Sequence, residues 1–126
     1  MTVPTNKATA RSYFEKFADL TVADAIFCPE VQFHYPLGDL DGLDDVKRYL
    51  AAVRLAFPDI RFAVHALFGE GDLIAARWTL TGTQTGELRG RPATGKPVAV
   101  PGNTIFRFRA DRILEMWITF DPARLL

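Results

Sequence analysis

The sequence has 126 residues, of which 48% are hydrophobic and 24% are charged, and this size and composition indicate a single globular domain over residues 1–126. Lysine plus arginine equals aspartate plus glutamate, so the formal net charge of zero argues against nucleic acid or an anionic membrane as a partner. The lone cysteine, Cys28, excludes an internal disulfide, and no Cys or His spacing indicates a metal site.

Two short helices are predicted first. Thr5 or Asn6 can cap a helix whose apolar residues recur at helical spacing. Thr21, followed three residues later by Asp24, predicts the start of a second helix, which Pro29 ends. The N-terminus is too polar for a signal peptide, and no apolar run approaches the ~20 residues of a membrane span, so a cytoplasmic protein is expected.

The rest of the chain predicts one more helix and a set of strands. A short strand over residues 31–35 leads into a loop over residues 36–42, and a third helix begins near Leu43 and ends before Pro58. Four longer strands are predicted over residues 60–69, 72–84, 96–109 and 112–121. Helices followed by a meander indicate an α+β domain, in which three N-terminal helices cover one face of a curved sheet.

Strand parity assigns the inner face of that sheet, because successive side chains point to opposite faces. The more apolar sets are Ile74, Ala76, Trp78, Leu80, Gly82 and Gln84; Val98, Val100, Gly102, Thr104, Phe106 and Phe108; and Leu114, Met116, Ile118 and Phe120. Few polar groups fall there, which predicts an apolar pocket for a small hydrophobic molecule, although a simple filled core would show the same pattern. The predicted ligand-lining residues are Tyr13, Phe17, Tyr35, Trp78, Gln84, Thr104, Phe106, Met116 and Phe120.

The opposite face of the sheet carries threonines together with Trp117. This composition fits strands that another protein covers, so we expect a homodimer formed through the outer sheet face.

His34 and Asp39 are the candidate catalytic residues. His34 titrates nearest to neutral pH of the available side chains and adjoins Tyr35 at the end of a predicted strand. Asp39 lies in the loop that follows, from which it could act as a base at the pocket mouth. The structural alternatives are a histidine hydrogen-bonded to a loop and an aspartate that forms a turn.

The meander also carries a series of motifs, in which AARWTLTGTQTGELRGRPATGKPVAVPGNTIFRF is followed by ADRILEMW and FD. Upstream, a helical start, an F-H-x-P strand, a loop with glycine and a helix ending in F-P-D complete the series. Over essentially the whole chain it resembles the SnoaL-like polyketide cyclase group of the nuclear-transport-factor-2-like superfamily. The resemblance implies a cone-shaped, cystatin-like α+β fold with a deep pocket, usually in a homodimer.

Two positions depart from the pattern of that group. Gln84 stands where the group commonly has histidine, and Thr104 where its cyclases commonly carry the acid/base aspartate; neither residue exchanges a proton near neutral pH. Two functions therefore stay open. One is a cyclase- or isomerase-type enzyme, without metal or organic cofactor, that acts on a hydrophobic carbonyl or polyketide-like molecule, with His34, Tyr35 or Asp39 shuttling the proton. The other is a non-catalytic ligand-binding or scaffold dimer.

Overall fold

A layer of helices packs on one curved sheet in the computed structural model, which describes residues 2–125. The helices are α1 (Thr2–Glu15), α2 (Leu20–Ile26) and α3 (Leu43–Ala56). The strands are β1 (Phe27–His34), β2 (Leu40–Asp41), β3 (Arg61–Glu70), β4 (Leu73–Thr83), β5 (Pro97–Arg109) and β6 (Arg112–Phe120), followed by a 3-10 helix, Pro122–Arg124. The predicted α+β class is confirmed, whereas the single domain over residues 1–126 stays a prediction, since residues 1 and 126 lie outside the described part.

The sheet is mixed, and its strand order is β2-β1-β6-β5-β4-β3. The strands β3 to β6 form the predicted antiparallel meander, and β1 joins it by parallel pairing with β6. β2 pairs with β1 at Gln32 and Phe33. Sequence reasoning interpreted this stretch as loop, because a strand of two residues shows no periodicity.

The first helix begins earlier than predicted. α1 starts at Thr2, so Thr5 and Asn6 lie inside the helix rather than at its cap. Pro4 falls in the first turn, where its missing N–H has no intrahelical partner to lose, and so it does not interrupt the helix.

The second helix and the first strand also differ from their predicted limits. Asp19, not Thr21, caps α2, and its carboxylate accepts hydrogen bonds from the backbone N–H groups of Thr21 and Val22. The Thr21 hydroxyl itself donates to that carboxylate at 2.7 Å. Pro29 does not end the helix but lies within β1, where the pairing with β6 shifts register between Phe27 and Gln32. Proline is tolerated in a strand at such an irregularity.

Burial follows the predicted parity along β4 and β5, where Ile74, Trp78, Thr104 and Phe106 are all buried. β6 departs from it near its start. The register with β5 shifts after the Arg107–Glu115 pair, so Ile113 is fully buried and Leu114, predicted to point inward, is only half-buried. A bulge exchanges the two faces for the side chains beyond it, so the prediction that Leu114 points inward was wrong.

An aromatic cluster joins α1 to the sheet. Tyr13 makes edge-on contacts, with ring centroids 5.2–6.5 Å apart, to Phe14, Phe17, Phe27, Phe33 and Phe106. Edge-to-face pairs of this kind are worth about 0.5–1.5 kcal/mol each beyond the area they bury. The cluster therefore fixes the position of α1 over the sheet and the wall that Tyr13 forms.

Gly102 leaves room for the Trp78 indole, which packs against β5 at this position. A Cβ atom at Gly102 would lie 2.4 Å from the indole ring and 2.8 Å from the Thr119 carbonyl oxygen, both well inside van der Waals contact. No larger residue fits there unless the indole moves.

We expect Gly102→Ala to lower the free energy of unfolding by about 1–3 kcal/mol, because overpacking forces a buried side chain out of its rotamer. Asn103→Ala, at an exposed neighbouring position of the same strand, is the control and should change it by less than about 0.5 kcal/mol. Urea unfolding of the three proteins measures both values. Equal stability of the two variants would show that the indole is not tightly confined.

Candidate functional site

An inner cavity lies between the helices and the sheet, with a volume of about 30 Å³. This is room for one or two water molecules. Most of its wall is apolar, and the polar side-chain groups that its lining residues carry are three tyrosine hydroxyls, the Thr104 hydroxyl and the Trp78 N–H. The lining residues are Tyr13, Phe14, Tyr35, Tyr49, Val53, Phe62, Trp78, Leu80, Val100, Thr104, Ile118, Phe120 and Leu125.

The tyrosine hydroxyls stay protonated. Burial raises the pKa of Tyr13, Tyr35 and Tyr49 above the usual value of 10. A hydrogen-bonding interaction between the Tyr35 and Tyr49 hydroxyls lowers the pKa of the first and raises that of the second. At neutral pH all three are therefore neutral groups that can donate a hydrogen bond but do not act as bases.

Thr104 and Trp78 form a second polar point on the cavity wall. The Trp78 Nε1–H donates to Thr104 Oγ1 at 2.9 Å, and both side chains are buried. The bond fixes the orientation of the indole. The Thr104 hydroxyl, which accepts this bond, can still donate a hydrogen bond of its own.

A larger vestibule, of about 460 Å³, lies outside the inner cavity. Four residues, Tyr35, Tyr49, Val53 and Leu125, line both spaces, and we call their shared boundary the neck. The other vestibule residues are Leu37, Leu40, Asp45, Arg48, Ala52, Glu87, Leu88 and Arg89. Its volume falls within the range of ligand pockets, whereas that of the inner cavity does not.

His34 and Asp39 do not line either space. His34 is paired with Trp117 across β1 and β6 and stacks on its indole, so it lies on the outer face of the sheet. Its Nε2 lies 2.6 Å from Glu115 Oε2 and its Nδ1 lies 3.2 Å from Asp39 Oδ2. Arg107 donates to the other oxygen of Glu115 at 2.7 Å. The expected position of His34 at the pocket end is thus corrected, because strand parity turns it away from buried Phe33.

Gln84 is buried but does not line the inner cavity; it holds the connection between β4 and β5. Its Nε2 donates to the carbonyl oxygens of Gly86 and Pro92, and its Oε1 accepts from the Thr94 hydroxyl. The backbone N–H of Gly86 in turn donates to the Ala56 carbonyl at the end of α3. The amide is therefore committed to the loop rather than to a ligand.

The remaining predicted residues divide in two. Tyr13, Tyr35, Trp78, Thr104 and Phe120 come together around the cavity as predicted, whereas Phe17, Phe106 and Met116 are core residues outside its lining.

Sequence reasoning missed five lining residues: Phe14, Tyr49, Val53, Phe62 and Leu125. Tyr49 lies on α3, where a tyrosine among aliphatic residues is itself a signal for a polar neighbour. Leu125 follows the last strand, and nothing in its local sequence relates it to the cavity.

Two absences hold over residues 2–125. No group of three or more His, Cys, Asp or Glu side chains is placed to hold a metal ion. None of the helices there combines the length and the apolar character needed to cross a membrane.

The chain belongs to the SnoaL-like polyketide cyclase family, whose model matches residues 7–126. The crystal structure of a SnoaL-like protein from Jannaschia sp. CCS1 superimposes with a TM-score of 0.89 at 25% identity, covering 98% of this chain and 90% of that one. IdmH of Streptomyces antibioticus, a proposed polyketide cyclase, superimposes with a TM-score of 0.81 at 26% sequence identity, covering 94% of each chain. AclR of Streptomyces galilaeus, a proposed hydroxylase, superimposes with a TM-score of 0.85 at 25% sequence identity, covering 98% of this chain and 80% of that one. No curated protein matches the chain. The cone-shaped fold that the motifs implied is confirmed.

The outer-face histidine predicts a pH dependence of stability. The hydrogen bond to Glu115 raises the pKa of His34 above its ordinary value of 6.5, against the opposing effect of partial burial. Protonated His34 therefore stabilises the folded state below pH 6.5, and this contribution is lost as the pH rises through the raised pKa. The pKa of Glu115 is lowered, chiefly by His34, so Glu115 stays ionised throughout that window.

We expect the stability difference between the wild type and His34→Gln to be larger at pH 5.5 than at pH 8.5. The change should stay below about 1 kcal/mol, because a third of the imidazole is exposed and solvent screens the pair. Urea unfolding at one protein concentration measures it. The control is His65→Gln, which removes a histidine whose contact is a hydroxyl, Thr79 Oγ1 at 2.8 Å, rather than a carboxylate. A difference independent of pH would show that the charge on His34 contributes nothing.

Proposed function

We propose that this member of the SnoaL-like polyketide cyclase family binds a small apolar molecule that carries a carbonyl or enol oxygen. The observation that carries the proposal is the lining of the inner cavity, whose polar groups are neutral hydrogen-bond donors within an apolar wall. A carbonyl oxygen accepts such bonds, and an apolar enclosure strengthens them.

Binding is favoured over acid/base catalysis by what the cavity lining contains. Its described residues include no carboxylate and no imidazole, and its tyrosines have pKa values raised by burial. Thr104 is bonded to Trp78, and Gln84 is bonded to its own loop. A cyclase that removes a proton next to a carbonyl needs a base at the reacting carbon, and no side chain on this wall supplies one.

The two spaces suggest how such a ligand would lie. The inner cavity, of about 30 Å³, suits one oxygen-bearing group, and the vestibule, of about 460 Å³, suits the apolar body. The hydroxyls of Tyr35 and Tyr49 belong to the neck between them, where the oxygen of the ligand would pass or stay.

A second candidate is an enzyme that works through hydrogen-bond donation alone. Family membership favours it, because a cyclisation proceeds through an enolate oxygen, which donors of this kind stabilise as its negative charge develops. A polyketone that enolises readily in water would need less help from a protein base.

Two copies of the chain are proposed to pair through the outer face of the sheet. The registers of the strands place Phe68, Ala75, Ile105 and Trp117 in one row across β3, β4, β5 and β6. Phe68, Ile105 and Trp117 are exposed large hydrophobic residues. Exposed apolar residues that are contiguous across a sheet are typical of a surface that another protein covers.

We expect the wild type to bind 2-acetylnaphthalene more tightly than 2-ethylnaphthalene, which lacks the carbonyl, by about 2- to 12-fold. Tyr49→Phe and Tyr35→Phe should each reduce this preference, because each removes one donor at the neck. Equilibrium dialysis measures both affinities. Leu55→Ala, on the exposed side of α3, is the control and should keep the preference.

Equal binding of ketone and hydrocarbon by the wild type would contradict the role of the hydroxyls. The same ketone tests the second candidate through exchange of its methyl protons in D₂O, followed by mass spectrometry. Exchange faster than in buffer, and slowed by Tyr49→Phe, would support an enzyme; no acceleration together with tight binding would support a binding protein.

The dimer is tested by light scattering after size-exclusion chromatography. We expect the wild type to have the mass of two chains and Ile105→Glu to have the mass of one, because a buried charge without a partner disrupts an apolar interface. Leu55→Glu places the same charge at an exposed apolar residue on α3 and should stay dimeric. A monomeric wild type at tens of micromolar would refute the pairing.

A further inference from the structure

We infer that Arg89 makes the vestibule selective for ligands with an anionic oxygen, such as a carboxylate, a phenolate or an enolate, bound beside Tyr35. The inference rests on the proposed function for the apolar body of the ligand and adds its charged group. It is carried by the turn that holds Arg89, by the lack of an ion-pair partner for its guanidinium among residues 2–125, and by its place with Tyr35 in the lining of the vestibule.

A tight turn over the vestibule fixes the position of Arg89. Leu88 and Arg91 exchange two backbone hydrogen bonds, of 2.9 and 2.8 Å, around the pair Arg89 and Gly90. Both central residues have positive φ, 50° and 81°, as a type I′ turn requires. Glycine, asparagine or aspartate would be the favoured residues at the first of these positions, so an arginine there is costly to the backbone. Such a cost at a pocket mouth suggests that the side chain has a role.

The turn places the side chains of Leu88 and Arg89 in different surroundings. Leu88 is buried, whereas Arg89 is exposed in the vestibule lining, and its Nη2 donates to the Leu37 carbonyl oxygen at 3.2 Å. That bond joins two loops that are 52 residues apart in the chain. It uses one of the five N–H donors of the guanidinium, so the fork retains donors for a ligand.

The charge of Arg89 is unpaired among residues 2–125. No carboxylate described there lies within 4.0 Å of it, whereas Arg48, on the same vestibule wall, is paired with Asp45. Glu87 is the opposing charge on this wall and also has no ion-pair partner there. Arg89 nevertheless acts on the neck, because its charge lowers the pKa of Tyr35 against the larger effect of burial.

An anionic oxygen at the neck would therefore meet two favourable groups at once. The Tyr35 hydroxyl would donate to it, and the Arg89 guanidinium would supply a charge-assisted bond, which is roughly twice as strong as a neutral one. A ketone oxygen in the same place gains less from the positive charge. The arrangement thus distinguishes an acid or an enolate from a neutral ketone of the same shape.

The test compares 2-naphthoate with 2-acetylnaphthalene, in which a methyl ketone replaces the carboxylate. Equilibrium dialysis at pH 7.5 gives the ratio of their affinities for each protein. We expect Arg89→Gln to lower the naphthoate-to-ketone ratio about tenfold and to leave ketone binding within about twofold. Arg89→Lys should keep most of the ratio, and Glu87→Gln should raise it. Arg54→Gln is the matched control and should leave it unchanged, because Arg54 is exposed on α3 and lines neither the inner cavity nor the vestibule.

Arg89→Gly separates charge from folding, since glycine suits the positive φ of the turn. A ratio lowered in both Arg89→Gly and Arg89→Gln supports the inference. A ratio unchanged in Arg89→Gly, or lowered equally by Arg54→Gln, overturns it while ketone binding by the wild type keeps the proposed function intact. If neither probe binds the wild type, the proposed function fails, and this inference fails with it.

Discussion

An apolar enclosure admits only polar groups that need no charge, and the interior of this protein obeys that constraint. The aromatic cluster around Tyr13 and the buried faces of β4 and β5 leave a space in which an ionised side chain would lose its hydration without a partner. Hydroxyls and an indole N–H fill the polar positions instead. What the cavity can recognise, and which reactions it can assist, both follow from this exclusion of charge.

The alternation of side chains along each strand explains why these charged residues lie on the outer face of the sheet. The sheet separates a neutral inner face from an outer face on which His34, Glu115 and Arg107 form one connected network. A single residue in β1 decides the allocation, because Phe33 is fully buried and its neighbour must then point outward. Groups that look reactive in the sequence are thus held on the outer face of the sheet, where they pair with one another.

Much of this could be predicted from the sequence, and the reasons for the failures are physical. Period-two patterning located β3 to β6 to within a residue or two at each end, and parity placed Trp78 and Thr104 on the cavity wall. Parity could not anticipate the bulge at Leu114, because a bulge leaves no mark in the hydrophobic pattern. Gln84 was misjudged for another reason: a buried amide with partners in its own loop has the same sequence signature as one that binds a ligand.

The position of β6 in the sheet has a consequence for how the chain folds. β6 follows every other strand in the sequence, yet it lies between β1 and β5 and supplies pairing to both. Until it arrives, β1 and β5 each present an unpaired strand edge, and the antiparallel pairs β3–β4 and β4–β5 form only part of the sheet. A ribosome-bound chain would carry the open edge of β1 until β6 has been made, almost eighty residues later in the sequence, so this part of the sheet depends on late, long-range closure and is exposed to aggregation until then.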